Sequence, residues 1–186
     1  MTELEQYINA YFGISENDLI KITELFKEEA LNKDEFFVKE GGYCNKLSFV
    51  KSGYLRVYAL KNDKDITQWI SGPGYFLTDL QSLVFDQPAK WSIQCLSDCE
   101  LYTISKENYR QIGKHVEKWD HLEKLFLAKC FLTLEDRVFS FLSMTAEERY
   151  DHLYAQNKEL FNIIPLHNLA SMLGMTPETL SRIRKK

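Results

Sequence analysis

The sequence predicts an α+β fold: an antiparallel β-barrel or jelly roll with flanking helices over residues 1–115, a long connecting helix over 116–143, and a helix-turn-helix within 144–186. Three observations predict it. From Glu35 to about Ser105 apolar residues recur with a period of two, between turn residues at short intervals. From Lys106 to about Met144 they recur at steps of three and four, and the stretch 166–186, LHNLASMLGMTPETLSRIRKK, has the pattern of two short helices meeting at a tight turn.

Taken in order, TELEQYINAYF places Leu4, Tyr7, Ile8, Tyr11 and Phe12 on one helical stripe. Leu19, Ile22 and Phe26 repeat it after Ser15 and Asp18, whose spacing resembles a capping box. Two short helices should therefore open the chain. The segments EFFVKEG, KLSFVKSG, YLRVYALK, DITQWIS, KWSIQCLS and CELYTIS each read as a strand, with Asn62-Asp63-Lys64 as a hairpin turn and Gly41-Gly42, Gly53 and Gly72-Pro73-Gly74 as corners. Short strands at near-regular spacing suit a small barrel or jelly roll. KENYRQIGKH then reads as a short helix before a longer one, in which Trp119, Leu122, Leu125, Phe126, Cys130, Leu134, Val138 and Phe141 form a stripe. Because Leu127, Phe131, Leu132, Phe139 and Leu142 fall off that stripe, the helix needs cover on more than one side, which a second copy of the chain would supply around Trp119 to Leu134. Residues 145–165 read as a further helix and a short extended connector.

In the terminal stretch Leu169, Leu173, Met175, Leu180 and Ile183 occupy the positions that must meet when two helices cross steeply. Ala170 is small where the second helix approaches, Gly174 suits the positive φ of the turn, Thr176 suits an N-cap, and Pro177 suits the first helical position, where a missing N–H costs nothing. A hairpin that merely closes a core would explain these positions but not the outer face of the second helix, where Glu178, Thr179, Ser181, Arg182, Arg184, Lys185 and Lys186 lie. Hydrogen-bonding groups near its start and cations towards its end suit a helix lying in the major groove of double-stranded DNA.

Charge is placed to match. The formal net charge is −4, but residues 166–186 carry +3 and residues 1–165 carry −7, so a basic end on an acidic body would approach DNA in one orientation. No apolar run approaches the roughly 20 residues that a membrane span needs, and MTELEQY lacks the basic-then-apolar order of a signal peptide. A cytoplasmic protein with no membrane partner is expected. Cys44, Cys95, Cys99 and Cys130 are then expected as reduced thiols, and Cys95 with Cys99 lacks the spacing or nearby His of a metal site. His115, His121, His152 and His167 are scattered, and neither a nucleophile–base pair nor a phosphate-binding Gly loop is evident, so no catalysis is expected.

The order of parts, with LASMLGMTPETLSRIRKK, the barrel segment GGYCNKLSFVKSGYLRVYALKNDKDITQWISGPGYF and the helical EDRVFSFL, resembles the cyclic-AMP receptor protein/FNR family of bacterial transcription regulators. The terminal stretch is close to the form seen in Bacteroidetes members. The resemblance implies a cyclic-nucleotide-binding-like effector domain (1–115), a dimerisation helix (116–143), a DNA-binding domain (144–186), a homodimer, and RNA polymerase as a further partner. It also implies that Glu178 and Arg182 contact bases, with Thr176, Pro177, Thr179, Ser181, Lys185 and Lys186 completing the DNA-facing set. The family's additional Arg, just before the Glu, is Pro177 here. Pro has no donor, so one base contact of the best-known members is missing and the preferred operator should differ.

In the effector pocket the departures are larger. Members that bind cyclic AMP carry a Gly-Glu-Leu turn whose Glu takes the ribose hydroxyl, then an Arg-Ser pair on the cyclic phosphate. Here Phe76-Leu77-Thr78-Asp79-Leu80 matches the turn, with Thr78 for Gly and Asp79 for Glu before Leu80, and the Arg-Ser pair falls on Ala89-Lys90. A buried phosphate needs a paired cation. Ala89 offers none, Lys90 should leave the pocket because neighbours on a strand face opposite ways, and Arg56 is a candidate cation expected on a solvated barrel face. The expectation is no cofactor and no cyclic AMP in the usual manner, with the barrel taking another small effector or acting as a scaffold. No cysteine precedes Cys44, whereas the family's cluster-binding variant uses a cysteine group near the amino terminus. The competing reading is a cyclic-nucleotide or other small-effector signalling module whose terminal hairpin contacts protein, a hairpin that would have no need of Arg182 and the Arg184-Lys185-Lys186 run.

Overall fold

The structure is a computed structural model that describes residues 1–185; Lys186 lies outside the described residues. Among the described residues eight strands form two four-stranded sheets. One sheet has the order β1 (Lys27–Leu31), β8 (Cys99–Ser105), β3 (Lys46–Ser52), β6 (Phe76–Leu77); the other has β2 (Phe36–Val38), β7 (Ser92–Cys95), β4 (Leu55–Lys61), β5 (Lys64–Ser71). Every pairing is antiparallel, which makes the body a jelly roll. Helices α1 (Glu3–Phe12) and α2 (Glu16–Thr23) precede it, α3 (Leu80–Phe85) interrupts it after β6, and α4 (Lys106–His115) and α5 (Trp119–Ser143) follow. The chain continues through α6 (Ala146–Gln156), α7 (Leu160–Ile163), α8 (Leu166–Met172) and α9 (Pro177–Ile183).

Three apolar clusters hold these parts together. Between the sheets lie Val50, Leu55, Val57, Ile93, Cys95 and Leu101. Outside the first sheet, Leu47, Phe49 and Ile104 pack under Ile8, Phe12, Ile22 and Ile112 of the helices. Phe12 of α1 stacks on both Trp119 and Phe126, at centroid distances of 5.0 and 4.6 Å, and so fixes the start of the long helix against the body. The third cluster joins Tyr54 and Ile70 of the barrel to Leu160, Phe161, Leu169, Leu173 and Leu180, which seats the terminal helices on the second sheet.

The hairpin between β4 and β5 turns on Asn62 and Asp63, both at positive φ (51° and 58°), with Lys61 paired to Lys64. This is a two-residue turn of the type that matches strand twist, so Lys64 already belongs to the strand. Other expectations need correction. The strands begin before Glu35: KEEAL, composed largely of good helix formers, is β1, because pairing from Lys27↔Thr103 to Leu31↔Cys99 overrides propensity. Helix α2 accordingly ends at Thr23, before Phe26. Ser15 caps α2 without bonding a backbone amide; its hydroxyl donates to Asp18, whose carboxylate also takes Lys21 at 2.9 Å. Asp is one methylene shorter than the Glu of a full capping box, and such boxes do form at Thr2/Glu5 and Thr145/Glu148. The connector before the terminal hairpin contains the single turn α7.

The long helix divides its apolar residues between two environments. Trp119 and Phe126 are buried against the chain's own body, with Leu122 and Cys130 beside them, while Leu125 and Leu127 in the same half are exposed. Beyond Cys130, Phe131, Leu132, Leu134, Val138, Phe139 and Leu142 are exposed, Leu142 at 81%.

Gly53 follows β3 at φ +87, and a Cβ there would lie 2.3 Å from the Asp98 carbonyl oxygen and 2.7 Å from Cys99 Sγ. Gly53→Ala should cost more than about 2 kcal/mol through strain and overpacking. Gly13→Ala, also at positive φ but in open space, should cost about 1 kcal/mol. Urea unfolding of the two variants measures the difference.

Candidate functional site

The terminal hairpin is built from its own local chemistry. Thr176 accepts a hydrogen bond from the Thr179 amide at 3.2 Å and Pro177 opens α9, so the second helix begins where the side chains dictate. Gly174 stands at φ +67, and a Cβ there would come 2.6 Å from the Phe141 ring of α5. Leu169, Ala170 and Leu180 are fully buried, and Leu173 nearly so, whereas Glu178 and Arg182 of α9 and Lys185 of the turn that follows it are exposed at steps of four and three. Thr176 and Pro177 are exposed at its start, and Thr179 and Ser181 are half-buried at its flanks. Glu178 is held below the usual carboxylate range, first by its own backbone amide and then by the Thr176 hydroxyl.

The barrel turn holds a different arrangement. Asp79 is 2% exposed and caps α3: one carboxylate oxygen takes the Ser82 amide at 2.8 Å, and the other takes the amides of Lys90 and Trp91 at 3.0 and 3.3 Å. Three backbone donors of the turn are thus occupied by a carboxylate from the protein itself. Thr78 donates to the Lys46 carbonyl oxygen, and Leu80 is an exposed first residue of α3. Ala89 is buried, its amide and carbonyl tied to Gly42 and Gly41. Lys90 is exposed, with its ammonium over the Trp91 ring.

Arg56 corrects an expectation. It lies on neither a solvated face nor the pocket: it is 6% exposed, alternates with the inward-facing Leu55 and Val57, and bonds Thr67 and Asp65 on the outer face of the second sheet. Solvent is excluded there because α8 covers that face, with the Thr67 amide donating to Ser171 Oγ at 2.9 Å. The structure therefore brings Thr78, Asp79, Ala89 and the Lys90 backbone together and leaves Arg56 apart. Sequence reasoning missed α3 itself, although Asp79 three residues before Ser82 is an N-cap spacing, and it missed Lys106. That buried ammonium bonds the Ser82 carbonyl oxygen and Asp86, and so anchors α3 from below.

The thiols of Cys95 and Cys99 are free, buried and close enough to hydrogen-bond, which pushes Cys95 up and holds Cys99 down. Among the described residues no group of His, Cys, Asp and Glu is arranged to hold a metal ion, and no helix is long and apolar enough to cross a membrane.

The body is an antiparallel jelly roll closed by flanking helices, with a capped turn between β6 and β7. Residues 28–115 match the family model of the cyclic nucleotide-binding domain. Among solved structures, the catabolite activator protein of Thermus thermophilus is similar at a TM-score of 0.60 and 23% identity, over 94% of this chain and 84% of that one. FixK2 of Bradyrhizobium japonicum is similar at 0.70 and 17% identity, over 86% and 83%. The regulatory domain of Toxoplasma gondii PKA, solved with cyclic AMP, is similar at 0.55 and 22% identity over 59% of this chain, which spans 43% of its length. No curated protein sequence matches the chain. At these identities the likeness is one of fold.

Because Asp79 satisfies three backbone donors, one of them fully buried, Asp79→Ala should destabilise the protein by about 2–4 kcal/mol, combining a lost cap with unsatisfied amides. Thermal unfolding checks this, and Leu80→Ala at the exposed neighbouring position should change stability by less than about 1 kcal/mol.

Proposed function

We propose that the chain is a homodimeric, sequence-specific DNA-binding transcription regulator of the cyclic-AMP receptor protein/FNR type, acting in the cytoplasm, whose barrel does not take cyclic AMP in the usual manner. The observation that carries this reading is the exposed row Glu178, Arg182 and Lys185 on α9 and the turn that follows it, a helix whose opposite side is locked into the core by Leu180. Arg182 offers a planar fork able to bond O6 and N7 of one guanine, and Lys185, one turn further, offers a point charge suited to phosphate. The DNA-facing position expected of Lys186 belongs to the same proposal.

The homodimer is supported by α5 from Leu127 onward, where Leu127, Phe131, Leu132, Leu134, Val138 and Leu142 stand exposed. A cluster of large apolar side chains on one soluble helix marks an interaction surface. Two copies joined there by a two-fold axis would present two recognition helices to half-sites about one helical turn apart. The unusual pocket is supported by Ala89 at the position of the expected phosphate-binding Arg and by Asp79, whose carboxylate already fills the turn's amides. A second anion there would meet repulsion instead of a cation.

Competition binding on operator and random DNA at two salt concentrations tests the reading. Arg182→Ala should cost specific binding about 1–3 kcal/mol and relax preference at one base pair per half-site. Lys185→Ala should weaken both DNAs nearly alike and lower the salt slope by about one unit. The complex should hold two chains per operator; equal losses on both DNAs for Arg182→Ala would remove its role as a base reader. Calorimetry with cyclic AMP should show no binding at micromolar concentrations, and a micromolar or tighter isotherm would overturn the pocket reading.

A further inference from the structure

A cavity of about 470 Å³ lies away from the Asp79 turn, where the barrel, the long helix and the terminal helices meet. Trp69 and Tyr75 line it from the barrel, Arg137 and Phe141 from α5, Arg149 from α6, and Leu173 from the end of α8. Its size falls within the roughly 300–1,000 Å³ of small-molecule sites.

The walls are cationic and aromatic. The Arg137 guanidinium sits 5.2 Å from the ring centroids of both Trp69 and Phe141, and that of Arg149 sits 5.0 Å from Phe141. Their hydrogen-bond partners are carbonyl oxygens: Arg137 Nη2 donates to Met172, Arg149 Nε to Leu173 and Arg149 Nη1 to Met144, at 2.8, 2.9 and 2.7 Å. Among the described residues neither guanidinium lies within ion-pair distance of a carboxylate, although Asp136 also lines the cavity. A guanidinium has five N–H donors, so most of the Arg137 fork is uncommitted. Burial alone pushes Arg137 below its ordinary pKa, the mark of a cation taken out of water without a counter-ion.

We propose that this cavity binds a small organic oxyanion carried on a planar ring, with Arg137 and Arg149 holding the anion and the Trp69–Tyr75 wall holding the ring. A phosphate monoester and a carboxylate both match the guanidinium fork. Trp69 and Tyr75 stand 6.1 Å apart at 58°, an open angle that offers ring faces instead of a closed stack. Because the two guanidiniums now hold the carbonyls of Met172 and Leu173, an anion that drew the forks to itself would loosen the end of α8 from the long helix and from α6. An effect of that loosening on DNA affinity rests on the DNA-binding reading; the binding itself does not.

Calorimetry on the full chain without DNA, using phenyl phosphate and benzoate as probes, tests the site. At least one probe should bind with a Kd below about 1 mM. Binding of phenyl phosphate alone identifies a phosphate ester, and binding of benzoate alone a carboxylate. Arg137→Lys and Arg149→Lys, which keep the charge but lose the fork, should each weaken binding about tenfold or more. Trp69→Leu, which touches neither carbonyl bond, should weaken it with the circular dichroism spectrum unchanged, and Lys21→Ala on the distant α2 should leave it unaltered. Absence of binding by both probes, insensitivity to the Arg and Trp69 variants, or equal weakening by Lys21→Ala would overturn the proposal. Because no DNA is present, that failure would leave the DNA-binding reading standing.

Discussion

Leu47 and Phe49 pack under the helices while Val50 packs against the second sheet, so β3 is buried on both of its sides, and the other elements are arranged to supply that double burial. The helices α1, α2 and α4 cannot leave without exposing Phe49, and the second sheet cannot leave without exposing Val50. Each fully buried side chain of this size contributes about 1.5–3 kcal/mol, so the strand is stable only when both layers are present. The start of α5 is fixed by the same cluster through Phe12, which transmits the position of the barrel to the long helix.

The turn between β6 and α3 shows how a ligand-shaped place can be satisfied from within. Backbone amides that converge on one point favour an anion, and here Asp79 provides it, with Lys106 holding the opposite end of the short helix. A carboxylate in that place gives the turn its stability and removes donors that a bound phosphate would need. The stretch that matches the cyclic nucleotide-binding domain model thus carries, at this turn, a carboxylate of the protein itself on the backbone amides.

Between barrel and terminal hairpin the connections are few and of two kinds. Apolar contact of Ile70 and Tyr54 with Leu169, Leu173 and Leu180 supplies the area. A directional bond from the barrel is that of the Thr67 amide to Ser171 Oγ, and α5 and α6 add Arg137 and Arg149, which donate to the last carbonyl of α8 and to that of its cap. Helix C-terminal carbonyls have no partner within their own helix, so cations bonded to them both complete the helix and tie it to its neighbour. Such a junction has a small number of directional bonds to rearrange.

Much of this was legible in the chain. Six of the strands, the paired opening helices, α4, α5 and the two terminal helices follow from periodicity, and Thr176, Pro177 and Gly174 state the hairpin in local chemistry alone. The exposed row of α9 is equally local, since spacing along a helix sets its faces. What lay beyond the sequence depends on partners remote along the chain. KEEAL becomes β1 only because β8 offers an edge. Arg56 is buried because α8 covers a face that alternation alone would give to water. Nothing in the sequence marks Arg137 and Arg149, because the cavity around them is closed by the barrel, α5, α6 and the end of α8. The sequence by itself determined which residues share a face and where helices begin and end, because those depend on neighbours within a few positions. Only the tertiary structure decided which faces are covered, which charges lose their water and which donors find a partner, because these depend on distances between segments that no local pattern encodes.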